Sequence, residues 1–302
     1  MKVAFGNREL ELGGPHLGEL RNSTALMGDV EALRRRMDED GYLLLRGLHD
    51  RQTVLAARRR ILQFMSDEGD AVDVSRGDLM EGRINPAGRC PNMMGRKGVT
   101  HTPEVLAVVE GDPIMRFFDD FLEEPALTFS YKWLRAVGQG NFTGSHYDVV
   151  YMGRGSKRLY TGWTPMGDVP IDQGALSICV GSHNLPEFEK LRRTYGHVDV
   201  DRDRVDGWFS TDPLDVVQNL GGRWATTDFE VGDALIFTMY TLHGSTNNTT
   251  DRWRISSDTR YQPAGDPADE RWNGDKPKAH YTRTEEPNSF TDVQTLRKEW
   301  GL

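Results

Sequence analysis

The sequence predicts a mainly β protein, a sandwich or jelly roll with helices at its flanks (an α+β chain). Three observations carry this. Between Ala126 and about Gln262, seven short apolar runs alternate with turns rich in Gly and Asp. Helical periodicity is confined to the first 125 residues, to an insert and to the tail. Of the 302 residues 37% are hydrophobic, enough for a sizeable core.

The elements follow in order. Residues 29–40 read as a helix: Asp29 can cap it, Val30, Leu33 and Met37 repeat at helical spacing, and Gly41 stops it. The apolar run 42–46 reads as a buried strand, and 51–67 as a second helix with Val54, Leu55, Ile61, Leu62 and Met65 as its stripe. Residues 69–102 have no period and are expected to form a long functional or mobile loop. Two short helices are expected at 103–109 and 113–122. The strand candidates are 127–136, 145–151, 159–166, 175–180, 225–229, 234–240 and 254–261. An insert at 185–223 interrupts them, with one helix at 186–195 and a polar loop; a last helix is expected near 292–300. The chain is expected to be a single domain, 1–302: helical support over 1–125, the β core over 126–262 and a tail over 263–302.

Composition removes several functional classes. A formal net charge of −9 argues against nucleic acid, which needs a basic footprint, and weakens the case for an anionic membrane surface. The arginine runs 34–36 and 58–60 are expected to be solvated helix faces. No apolar run is long enough to span a bilayer, and the first residues lack the apolar segment of a secretory signal. Two cysteines, Cys90 and Cys179, support neither a disulfide framework nor structural zinc. A cytoplasmic protein follows as the expectation.

The chemistry begins at His146-Tyr147-Asp148. On a strand, positions i and i+2 share a face, so imidazole and carboxylate would project side by side. Taken alone, the pair could equally be solvated. Downstream, the apolar run from Ala234 leads to His243, followed by the small residues Gly244 and Ser245. Two histidines and one carboxylate with open positions left over make the facial triad of non-haem iron oxygenases. Arg254 lies eleven positions after His243. Its planar fork matches a carboxylate, and Ser256 shares its strand face. Together they could hold the remote carboxylate of 2-oxoglutarate.

These stretches resemble the phytanoyl-CoA dioxygenase family of iron(II)/2-oxoglutarate oxygenases. The resemblance runs through His146-Tyr147-Asp148, the segment from Gly174 to His183, the segment from Val231 to Phe237, and His243-Gly244-Ser245 with Asn247 and Arg254. The segment from Asp38 to Gly47 also looks like the family's N-terminal strand. The resemblance implies a double-stranded β-helix of the cupin-like jelly-roll kind. It implies Fe(II) on His146, Asp148 and His243, 2-oxoglutarate on Arg254, and dioxygen as the oxidant. It also points to Lys132, Thr161, Trp163 and Ser256 as cosubstrate or pocket residues. The expected reaction oxidises a C–H bond of a small molecule, with release of succinate and carbon dioxide. Asp148 fills the position that a halogenase of this mechanism leaves vacant, so hydroxylation is favoured. Tyr147 stands where the family often has Gln, a change expected in an outer or pocket group.

Other readings stay open at this level. A 2-oxoglutarate-independent cupin-type metalloenzyme, or a silent jelly-roll binding protein, would keep the fold. His183 reads as a turn histidine bonded to nearby backbone. Trp163 can be core or pocket wall, and Lys132 can face cosubstrate or solvent. His101, His197 and His280 carry no readable signal, and Met93-Met94 read as incidental loop residues. Segments 69–102, 154–158 and 185–223 are expected to shape the substrate pocket. Oligomeric state and substrate identity are not encoded in any readable motif.

Overall fold

The computed structural model describes residues 1–280 and 290–302. In chain order its strands are β1 (Lys2–Phe5), β2 (Arg8–Glu11), β3 (Leu17–Glu19), β4 (Tyr42–Leu45), β5 (Ala126–Thr128), β6 (Leu134–Val137), β7 (Tyr160–Pro165), β8 (Leu176–Cys179), β9 (Trp224–Thr226), β10 (Ala234–Thr238), β11 (His243–Ser245) and β12 (Arg254–Pro263). Strands β4-β10-β7-β12-β5 form the larger sheet, with β6 also paired to β12. Strands β11-β8-β9-β3 form the smaller one, and β1-β2 is a separate hairpin. This is the jelly-roll class expected, with two facing open sheets.

Alternation along the strands explains which residues lie where. In β4, Tyr42 and Leu44 pack between the sheets with Leu176, Ile178 and Ala225, while Leu43 and Leu45 face the helices Val30–Asp40 and Asp112–Leu122. β10 repeats the pattern: Leu235 and Phe237 point inward, Ala234 and Ile236 outward. Both faces of these strands are covered, which is why they read as continuous apolar runs. β12 differs. Its outer residues Ile255 and Tyr261 join the helical layer, and the Tyr261 hydroxyl donates to Val109 O at 2.7 Å. Its inner positions are Arg254, Ser256, Asp258 and Arg260, all buried. A polar stripe inside a core is costly unless its members are partnered or bind a ligand.

The helices follow the sequence closely. Asp29 caps Val30–Asp40 by accepting from Ala32 N, and Gly41 closes it in the left-handed region at φ 81°. Arg51–Gly69 is capped by Asp50.

Several expectations need correction. The segment 1–125 is not only helical support, because β3 and β4 contribute to the two main sheets. β3 is too short to show a period, whereas β4 is the strand expected at 42–46. The candidate strand 127–136 is two strands, β5 and β6, broken at 129–133. The segment 145–151 is not a strand: Ser145 and His146 form isolated bridges, and Val149–Met152 is helical. The insert holds a second helix, Pro213–Asn219, capped by Asp212 through Leu214 N and Asp215 N. Arg58 is not a solvated face residue; it is buried and donates to the carbonyls of Met80 and Met166, at 3.0 and 2.9 Å. Of the tail, 281–289 lies outside the described residues, and Val293–Trp300 is the expected last helix.

Candidate metal centre and cosubstrate pocket

His146 and His243 are brought together by a direct backbone bridge. Each donates its N–H to the other's carbonyl, at 2.9 and 3.1 Å. Directly opposed residues on paired segments place their side chains side by side, and the two ring centroids lie 4.2 Å apart. His243 does not close β10 as expected. β10 ends at Thr238, a turn carries the chain across to the smaller sheet, and His243 opens β11. Nor does Asp148 share a strand face with His146. Its backbone is helical (φ −66°, ψ −28°), and it sits at the head of Val149–Met152. That turn swings the carboxylate back over the imidazoles.

The result is one cluster of buried ligand atoms from His146, Asp148 and His243, all within 4.8 Å of one another. Asp148 Oδ1 lies 3.8 Å from His146 Nε2 and 3.9 Å from His243 Nε2. His146 Nδ1 is 2.9 Å from Gly144 O, and His243 Nδ1 is 3.0 Å from Thr241 O. A carbonyl can only accept, so each Nδ1 carries the proton and each Nε2 offers a lone pair to the shared centre. Burial, with the neighbouring ring contributing, holds His146 neutral down to about pH 3. Burial by itself would push the Asp148 carboxyl up, but Arg260 and the two imidazoles hold it well below the ordinary carboxylate range. Two neutral imidazoles and one carboxylate are the donor set a divalent iron takes.

Asp148 is itself held from two sides. Thr161 on β7 donates to Oδ2, and Arg260 on β12 donates to Oδ1 at 3.0 Å. Arg260 is buried, with its guanidinium 4.6 Å from the Trp133 ring centroid. The family resemblance points Thr161 to the cosubstrate; here it bonds the triad carboxylate. Arg260 is not among the expected site residues, yet it continues the period of Arg254 and Ser256 along one strand face.

Arg254 is buried, and one Nη donates to Ser256 Oγ at 2.6 Å. Its Nε has no partner among the described residues. Burial lowers its pKa to about 10. Trp163, also buried, has its ring centroid 6.0 Å from the Arg254 guanidinium carbon, so Trp163 is at once core and flank of that arginine. Gly174 closes the other side. Its φ of +80° favours glycine, and a Cβ there would sit 3.7 Å from Arg254 Nε. A buried guanidinium with an orphaned N–H fits a carboxylate ligand.

Lys132 does not join the site. It is fully buried, donates to Phe129 O and Thr128 Oγ1, and pairs with Glu110 at 2.8 Å. Its ammonium is taken up by these oxygens, and Lys132 does not border the triad cavity. Tyr147 is likewise neither an outer nor a pocket group; it points into the core, stacks with Tyr195 and donates to Ser182 O. His183 is the turn histidine expected, with Nε2 3.0 Å from Asp38 O.

A cavity of about 450 Å³ opens beside the triad, bordered by His146 and Asp148 and walled by Tyr131, Trp133, Tyr151 and Trp272. Met94, Trp208 and His280 also border it. Segments 69–102 and 185–223 thus do reach the pocket, while 154–158 contributes no bordering residue. Met93 is core and Met94 is cavity rim.

Fold and triad together define an oxygenase of the iron- and 2-oxoglutarate-dependent class. The chain belongs to the phytanoyl-CoA dioxygenase family, whose sequence profile matches residues 37–256. It is 27% identical over 267 residues to the 1-deoxypentalenic acid 11-beta-hydroxylase of Streptomyces exfoliatus, covering 82% of this chain and 86% of that protein. The enzyme of the same name from Streptomyces arenae is 26% identical, covering 80% and 84%. Among solved structures, the epimerase SnoN in complex with Fe3+, alpha ketoglutarate and nogalamycin RO superposes with a TM-score of 0.56 at 19% identity, over 83% of this chain and 93% of that one. EctD from S. alaskensis, in its apoform, gives 0.56 at 15% identity, over 91% and 90%. At such identities the structural likeness establishes the fold. No helix among the described residues is long and apolar enough to cross a membrane.

Proposed function

We propose that the protein hydroxylates an unactivated C–H bond of a small organic substrate, using iron(II) on His146, Asp148 and His243 and 2-oxoglutarate anchored by Arg254. The observation that carries the reading is the pair of backbone-locked imidazoles whose Nε2 atoms face one Asp148 oxygen, at 3.8 and 3.9 Å. When bound, iron and 2-oxoglutarate supply the oxidising power. The balance is substrate C–H, dioxygen and 2-oxoglutarate going to alcohol, succinate and carbon dioxide. The chain's own residues position and exclude. Gly144 O and Thr241 O fix the ring tautomers. Thr161 and Arg260 fix the carboxylate. Arg254 and Ser256 offer the fork for the remote carboxylate, and the aromatic wall keeps water from the reacting carbon. The hydroxylase relatives at 26–27% identity support hydroxylation over other outcomes.

Anaerobic titration with iron(II) and 2-oxoglutarate tests the reading. A weak visible band requiring both should form in the wild type and be absent in His243→Ala. Arg254→Met should bind iron normally and need about 100-fold more 2-oxoglutarate, since a bidentate charged pair is lost. A band that forms without 2-oxoglutarate, or survives in His243→Ala, would sink the assignment.

A further inference from the structure

The triad cavity meets a second, more open one of about 470 Å³. Met94, Arg135, Thr143 and Trp208 border both. The rest of the second cavity is neutral and largely apolar, with Met93, Val137, Phe142 and Trp253 among its walls. Among the described residues, Arg135, on β6, is the only charged one bordering it. Its Nε donates to Asp258 on β12, and neither Nη makes a hydrogen bond to the described residues. Asp258 therefore fixes the guanidinium while leaving its outer edge, the bidentate one, turned to the passage.

We propose that Arg135 is a specificity-determining residue that binds the carboxylate of an apolar-bodied acid, with the hydrocarbon body lying in the aromatic inner cavity. The outer cavity is its vestibule. The inference rests on the oxygenase reading above. The outer passage itself favours an anion at this edge: its described lining offers no carboxylate, and Asp258 is engaged at the Nε of Arg135. Tyr151 and Met152 also border the inner cavity, and across it Asp206 is engaged by Val293 N–H at 3.3 Å. A guanidinium held by one carboxylate at Nε, with its Nη edge on an otherwise neutral passage, is where an acid would be selected over a neutral analogue.

The test uses protein loaded with nickel(II) and 2-oxoglutarate, with tryptophan fluorescence as readout, since Trp133, Trp208 and Trp272 border the cavity. Decanoate should bind at least about tenfold tighter than 1-decanol, as expected when a bidentate charged contact is made or lost. Arg135→Gln should bring the two within about twofold of each other while 2-oxoglutarate affinity stays unchanged, which also shows that the variant is folded. Arg135→Lys, keeping the charge but not the fork, should restore part of the preference. Equal binding of acid and alcohol, no binding of either, or a preference that survives Arg135→Gln overturns the proposal. So does a fall in 2-oxoglutarate affinity in that variant, which would assign Arg135 to the cosubstrate. If the wild type takes up nickel and 2-oxoglutarate but ignores decanoate, only this inference fails. If it takes up neither, the oxygenase reading fails first.

Discussion

Asp148 shows how much of this site depends on single hydrogen bonds. Its two oxygens are held by Thr161 and Arg260, so one carboxylate conformation is presented to the imidazoles. Thr161→Val keeps the shape of the side chain and removes the donor. Partners of this kind are typically worth 10- to 100-fold in metal affinity. Iron(II) titration of Thr161→Val should show affinity weakened by about tenfold, with turnover at saturating iron changed less. Unchanged affinity would mean that Arg260 alone orients the carboxylate. His49 provides a separate pH handle. It is buried, its Nε2 lies 3.3 Å from Thr164 Oγ1, and burial lowers its pKa from 6.5 to about 4. The neutral ring is the folded form, so its contribution is complete above pH 6.5, declines as pH falls toward 4, and is gone below that. The span corresponds to about 3 kcal/mol. Urea melts of His49→Gln should show a flatter stability profile than wild type between pH 6.5 and 4; parallel profiles would refute this.

At the scale of elements, the joints that aim the ligands are short and specific. Gly41 ends the helix Val30–Asp40 at φ 81°, and a Cβ there would lie 2.5 Å from His183 Nδ1 and 3.0 Å from Thr241 Oγ1. Thr241 is also the residue whose carbonyl locks the His243 ring. Gly41→Ala should therefore cost about 1–2 kcal/mol from the left-handed backbone alone, and more from the clash. It should also weaken iron binding. Equilibrium unfolding and metal titration on the same variant check both, and a variant as stable as wild type would show that the turn relaxes freely. Elements built from regular period were legible in the sequence. The helices at 30–40 and 51–69 declared themselves by spacing and capping residues, and the buried strands β4 and β10 by continuous apolar runs. Elements defined by pairing alone were not. β3 has three residues and no period of its own; it exists because β9 runs alongside it.

For the whole molecule, ligand binding and folding are linked through a site assembled from both sheets. His243 comes from the smaller sheet and Arg254 and Thr161 from the larger one, so a loaded site clamps the two together. With metal and 2-oxoglutarate each near 100 times its dissociation constant, each contributes about 2.7 kcal/mol, so the expected stabilisation is about 5 kcal/mol, or about 8 °C in Tm. Calorimetry of chelator-treated and nickel(II)/2-oxoglutarate-loaded protein should show that rise, and His243→Ala should show almost none; an equal rise in both would place the stabilising metal elsewhere.

The identities and order of the triad residues were legible in the amino-acid sequence, because a metal site restricts residue type; so was the shared strand face of Arg254 and Ser256, because strand residues alternate. The sequence by itself also determined the layered β architecture, through apolar runs long enough to be covered on both faces. Only the tertiary structure decided how His146 and Asp148 converge, since a backbone turn at Asp148 replaces the expected strand. It also decided that Lys132 is ion-paired to Glu110 within the fold. Arg135 and His280 border the cavity for the same reason. Such contacts join residues far apart in the chain, and local spacing carries no record of which distant groups will be packed against them.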